Sequence, residues 1–451
     1  MERGKGTREM RREILTAGIT LGALVQSSVA WAVGEPPRTD SGDTAWLLVS
    51  TAMVMLMTPG LALFYGGMAR RKNVLNTIML SFVVLCMVSI QWILWGYTLA
   101  FGPDKGGVIG GLSFLGLRGV GLDPTEGSTI PHLLFAMFQG MFAIITPALI
   151  TGALVERFKF SSFLVFTLLW ATFVYDPLAH WVWGKGWLAS IGAMDFAGGT
   201  VVHMSSGISA LAAALILGRR RGTGSEPMHP NNLPMTVTGA AMLWFGWFGF
   251  NAGSALTSGG LAASAFVVTN TASATAAMVW LLIEWAHRGK PTALGTVTGA
   301  VAGLVAITPA AGYVGPIASV FIGIGAGVCC YLGVVKLKPA CGYDDSLDVF
   351  GVHGIGGTWG AIATGLFATS SIPGSSDGLF YGNAKQLLVQ LLATGVTWVY
   401  SFGITVLILL ALRALMGLRV SEEQEVMGLD LSIHGERGYG LGLAEGRGAG
   451  A

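Results

Sequence analysis

The chain is short of charge. Only 11% of its 451 residues are Asp, Glu, Lys or Arg, against about 25% in ordinary soluble domains, whereas 53% are hydrophobic. So few charges cannot clothe a soluble globular surface, and the composition is that of a membrane protein. The formal net charge of +2 gives no basis for binding nucleic acid. Cysteine is scarce too, at four residues. Cys86, Cys329 and Cys330 lie in apolar runs and Cys341 in a short loop, a spacing that offers neither a disulfide framework nor a metal set. No cofactor-binding loop or activated nucleophile points to an enzyme. What the chain has in plenty is glycine, 67 residues, which suits helices packed backbone to backbone where lipid supplies no hydrophobic drive.

Residues 1–32 have a basic front (Arg3, Lys5, Arg8, Arg11, Arg12), an apolar run from Ile14 to Ala23 and the small-x-small site Ala30-Trp31-Ala32. This is the pattern of a secretory signal peptide; the alternative is an uncleaved extra helix. A short polar segment, 33–43, is expected outside the membrane. Apolar stretches then follow near 44–69, 74–101, 130–155, 160–178, 199–218, 234–256, 261–287, 293–310, 312–337, 349–370 and 386–415, most of them close to the ~20 residues a span requires. The expected fold is an all-α polytopic membrane domain, 44–415, of eleven transmembrane helices. Residues 416–451 form a polar tail.

Basic residues set the topology. Arg70, Arg71, Lys72, Arg157, Lys159, Arg219, Arg220, Arg221, Arg288, Lys290, Lys336, Lys338, Arg413 and Arg419 fall on one side, and few besides Lys105, Arg118, Lys185 and Lys385 on the other. By the positive-inside rule the first side, and the tail with it, is cytoplasmic. The long outer loop, 102–129, is Gly-rich, aperiodic and irregular. Histidines in the fifth and tenth stretches suggest two inverted five-helix repeats plus one helix, with a site on their shared interface.

Asp195 stands at the mouth of the fifth stretch and His203 two turns inside it, while His353 opens the tenth. Ionisable groups in hydrocarbon cost several kcal/mol unless they face protein or a polar pathway, so they are functional candidates. A metal site lacks a third ligand beside the two histidines. Asp176 and Glu284, at span ends, are read as structural.

The segments Asp195-Phe196-Ala197-Gly198-Gly199-Thr200-Val201-Val202-His203, Phe248-Gly249-Phe250-Asn251-Ala252-Gly253-Ser254, Ala179-His180-Trp181-Val182-Trp183-Gly184, Phe138-Gln139-Gly140-Met141-Phe142 and Asp348-Val349-Phe350-Gly351-Val352-His353-Gly354 resemble the ammonium transporter (Amt/Rh) family, on its bacterial Amt side. The resemblance runs from about residue 43 to 436. It implies a homotrimer in the bacterial plasma membrane with one pore per subunit, conducting ammonium or ammonia without a cofactor. By resemblance, Trp183, Phe142 and Ser254 form an outer ammonium site, where aromatic faces hold a cation and a hydroxyl accepts an N–H bond. Phe142 and Phe250, with Phe138 nearby, resemble the pore gate, and His203 and His353 the lumen pair that can relay a proton. The matching Asp195 supports the outer site without touching the ion, in preference to acting as a direct base. The tail resembles one that couples subunits and meets a PII-type regulator, and departs from the usual ending after Glu436. A conformational sensor, an enzyme using the His pair and an Rh-type gas channel are the rival functions.

Overall fold

In the computed structural model, which describes residues 39–439, every apolar stretch is helical. The helices are α1 (Ser41–Met68), α2 (Arg71–Phe101), α3 (His132–Leu154), α4 (Phe160–Ser190), α5 (Gly199–Leu217), α6 (Leu233–Gly253), α7 (Gly260–Arg288), α8 (Ala293–Ile307), α9 (Pro316–Cys341), α10 (residues 350–367) and α11 (Ala384–Leu415). Among the described residues nine are long and apolar enough to cross a membrane, all but α8 and α10. Helix α8 has 15 residues, roughly 22 Å at 1.5 Å per residue, short of a ~30 Å hydrocarbon core. In α10 the glycines and His353 dilute the apolar content. The proposed signal peptide lies outside the described residues.

The boundaries follow from local chemistry. Asp40, Asn232, Thr292 and Asn383 each turn a side-chain oxygen onto a first-turn N–H of α1, α6, α8 and α11, satisfying donors that a helix start leaves free. Helix α7 stops at Gly289, whose φ of 77° suits a residue without Cβ. Five helices carry a wider π-type turn, over Trp92–Gly96, Ala171–Tyr175, Gly199–Met204, Gly333–Leu337 and Phe350–Gly354. Such turns often mark functional positions.

Helices α1 and α6 lie along one another, as do α7 with α8 and α9. Glycine permits this: a Cβ at Gly239 of α6 would stand 2.3 Å from the Phe64 nitrogen of α1. Where α5 meets α10 the contacts are reciprocal. A Cβ at Gly207 would strike the backbone of Gly354, and one at Gly357 the backbone of Met204. The two histidine-bearing turns are thereby brought to van der Waals distance, which positions the site.

The loop 102–129 carries a two-stranded ribbon, Asp104–Lys105 with Ile109–Gly110, and a kinked 3-10 segment over Leu112–Leu117, and is otherwise irregular. At the opposite end the tail forms two short helices, α12 (Glu422–Met427) and α13 (Leu429–His434). The Asp430 carboxylate accepts the N–H groups of Leu75 and Asn76 at 3.1 and 2.8 Å, and Glu425 pairs with Arg419 and accepts the Arg221 N–H at 2.6 Å. Tyr439 accepts a hydrogen bond from Asn231 and lies under the Arg71 guanidinium. The tail thus docks on the loops that carry the basic residues.

Candidate functional site

The site begins where α5 begins. Gly198 takes φ 113°, and a Cβ there would collide with Val202 and crowd the Trp183 ring, so glycine is required. That turn points successive N–H groups at one carboxylate. Asp195 accepts Gly198 N at 2.8 Å and Gly199 N at 2.6 Å on Oδ1, and Thr200 N at 2.8 Å, Val201 N at 3.2 Å and the Thr200 hydroxyl on Oδ2. The charge sits at the positive end of α5, where it is stabilised by unpaired donors and the helix dipole. Its own backbone carbonyl accepts the Trp183 indole N–H at 2.8 Å. Asp195 therefore fixes Trp183 while its carboxylate is fully engaged elsewhere.

Trp183 meets Phe142 edge to face, with centroids 5.9 Å apart. Beneath them Phe142 and Phe250 stack at 4.2 Å, and Phe138 abuts Phe142 at 5.0 Å. All three phenylalanines are buried. Ser254 ends α6 and donates its hydroxyl to the Phe250 carbonyl at 2.7 Å, which leaves the oxygen lone pairs open to a donor. Ser254 and Trp183 share no hydrogen bond; Phe142 links their surroundings, meeting the Trp183 ring edge to face and stacking on Phe250, one turn before Ser254.

Below the stack, His203 lies face on to Trp247 at 5.2 Å, and its Nδ1 is 3.2 Å from Nδ1 of His353. His203 Nε2 is buried without a partner. Trp247 is held by a bond from its indole to Thr308 at 2.8 Å. A narrow cavity of about 10 Å³, lined by Leu61, Leu149, Leu243 and Val301 among others, touches both histidines. His353 also lines a wider cavity of about 390 Å³ that includes Tyr65, Glu284 and Asp348. The sequence-derived residues thus form one file, Trp183, the Phe142–Phe250 stack, His203 and His353, which ends at the wider cavity. No group of three or more metal-ligating side chains occurs among the described residues.

Three features receive no role from the sequence alone. Trp247 stacks on His203, and nothing distinguished it among the aromatics of α6. Asp348, in the wider cavity, is paired with Lys338 at 2.7 Å. Asp345, in the loop before α10, is fully buried, and its Oδ2 accepts the Phe350 N–H at 2.7 Å while Oδ1 has no partner. Burial pushes this carboxyl up to about 6, with Lys338 opposing and Asp348 adding to the rise. Its spacing to His353 equals that of Asp195 to His203, a signal the sequence carried. Neighbouring Asp344 goes the other way: despite burial, Arg220 and Arg157 hold it well below the usual carboxylate range.

Residues 45–439 match the Ammonium Transporter Family. The "Ammonium transporter" of Bacillus subtilis is 55% identical over 88% of this chain and 98% of its own. "Ammonium transporter Amt1" of Archaeoglobus fulgidus is 50% identical over 88% and 99%. The crystal structure of Saccharomyces cerevisiae Mep2 superposes with a TM-score of 0.81 at 37% identity, covering 86% of this chain and 89% of that one. A structure described as "Sensor Amt Protein" gives 0.81 at 30%, covering 87% and 98%. The chain is a multi-pass membrane protein and belongs to the ammonium transporter family.

Proposed function

We propose that the protein conducts ammonia derived from external ammonium, with the proton carried separately. NH4+ is recruited at Trp183, Phe142 and Ser254, where aromatic faces favour a desolvated cation by up to ~2 kcal/mol and the Ser254 lone pairs accept an N–H. The apolar Phe142–Phe250 stack opposes a hydrated ion, so the ammonium loses its proton there, burial disfavouring the charged amine. NH3 then passes His203 and His353 and is reprotonated at the wider vestibule. The observation that carries this reading is the Nδ1–Nδ1 contact of the histidines at 3.2 Å under an aromatic closure. Such a pair passes a proton from ring to ring, which makes transport electrogenic.

The eleven-helix arrangement is read as two inverted five-helix repeats plus α11. The reciprocal contacts of Gly207 with Gly354 and of Gly357 with Met204, and the matched Asp–His spacings, support it. The signal peptide, bacterial plasma-membrane location, cytoplasmic tail, homotrimer and PII-type partner belong to the same reading.

The test is the current of purified protein in proteoliposomes after an ammonium jump, with potassium as control. A saturable ammonium-selective current is expected. Internal alkalinisation without current reduces the protein to a carrier of neutral NH3. Binding without either signal favours a sensor, a reading the likeness to the sensor structure keeps in view.

A further inference from the structure

Away from the pore, two buried side chains hold an incomplete hydrogen-bond pattern. Asp176, inside α4, is wholly buried, and its Oδ2 accepts from Nε2 of Gln91 in α2 at 2.8 Å. Its Oδ1 and Gln91 Oε1 are both buried and have no partner. The pair therefore shows one donor bond made and two bare acceptors, one on each residue. Among the described residues no lysine, arginine or histidine forms an ion pair with Asp176.

The titratable groups on the segments packed around residues 176–182 are Tyr97, Tyr175 and His203. Tyr97 is bonded to His132 and His203 to His353, and the Tyr175 hydroxyl has no partner. His180, one turn further on, is held by Asp104 and the Ala100 carbonyl. None of these bonds to Asp176.

We propose that Asp176 is a proton-binding site: Oδ1 carries the proton and donates it to Gln91 Oε1, closing a ring of two hydrogen bonds between a carboxylic acid and a primary amide. One proton satisfies both bare atoms, and no third molecule is needed. An ionised carboxylate would instead oppose an amide carbonyl inside a membrane helix, where an uncompensated charge and an unmade hydrogen bond each carry a penalty. The ring fits its setting. Gln91 immediately precedes the π-type turn of α2, and Asp176 immediately follows that of α4. Gly96 makes room, since a Cβ there would stand 2.7 Å from the Gln91 amide atoms. The proton acts as a structural ligand that clasps α2 to the helix bearing Trp183, so Asp176 is a positioning residue.

The test uses infrared difference spectra of the purified full-length protein against Asp176→Asn, together with thermal stability and ammonium flux. The expected difference is the loss of one protonated-carboxyl band, present in the wild type from mildly acidic to mildly alkaline pH. Asp176→Asn keeps stability and flux, because its amide N–H replaces the acid O–H in the ring. Asp176→Ala and Gln91→Leu lose stability. A carboxylate band missing from Asp176→Asn overturns the proposal, as does loss of stability in Asp176→Asn equal to that in Asp176→Ala. Stabilisation of the wild type but not of Asp176→Asn by added ammonium also overturns it, by assigning a bound cation to an ionised Asp176.

Discussion

His203 and His353 face one another Nδ1 to Nδ1 at 3.2 Å across 150 residues of sequence. One proton occupies that contact, so one ring donates and the other accepts, and each ring's Nε2 takes the opposite character. The pair therefore presents an acceptor at one end and an N–H at the other, and a proton entering at the acceptor end exchanges the roles.

Replacing His353 with Leu removes this exchange while preserving an apolar lumen. The ammonium current is expected to fall by roughly 10²-fold, the lower end of what a positioned proton-transfer group contributes. Proteoliposome currents at fixed protein density check it. A current of unchanged size and selectivity would count against any relay.

The Phe142–Phe250 stack at 4.2 Å is the apolar closure above the histidines. Phe250→Ala removes the stacking, worth ~0.5–1.5 kcal/mol beyond area burial, and opens a path for water. Potassium is expected to conduct in the variant, and ammonium selectivity to fall. Bi-ionic potential measurements decide the point. Retained selectivity would place discrimination above the stack, at Trp183 and Ser254.

Asp195→Ala strips partners from the N–H groups of Gly198, Gly199, Thr200 and Val201 together. Leaving even one buried donor unmade costs about 1–3 kcal/mol, so a marked loss of thermal stability is expected. The carbonyl that holds Trp183 shifts with the turn, and ammonium affinity weakens. Asp195→Asn, which keeps acceptors on one side only, should fall between alanine and the wild type in both melting temperature and half-saturation.

Much of this arrangement was legible from the residues. Long apolar runs separated by basic loops mark the helices because a span leaves few alternatives to uninterrupted hydrophobicity. The π-type turns were not legible, since a single widened turn disturbs the 3.6-residue period too little to be read. Helix α8 passes for a span by composition, but its helix ends at Ile307, ahead of Pro309. At the site, His203 and His353 stood out as ionisable groups in apolar runs. By sequence Asp176 reads as a structural group at a span end, yet the bundle closes over it completely, a matter of tertiary packing against Gln91. Asp345 was hidden because its segment reads as a loop, and only its spacing to His353 singled it out.

Asp345 yields a prediction with a defined sign. Its carboxyl moves from the ordinary value of 3.8 to about 6, chiefly through burial. The folded protein thus binds this proton more tightly than the unfolded chain does. Between about pH 4 and pH 6 the native state holds more protons, so stability falls as pH rises through that window and levels off above it. Asp345→Asn cannot titrate, and its amide oxygen still accepts the Phe350 N–H. The variant's melting temperature should lose this downward slope while acid-dependent changes from Asp344 and other carboxylates persist. Melting curves of the two proteins at several pH values in one detergent check it. A wild-type slope that survives unchanged in Asp345→Asn would mean that Asp345 is already ionised across the window, held so by Lys338 in spite of its burial.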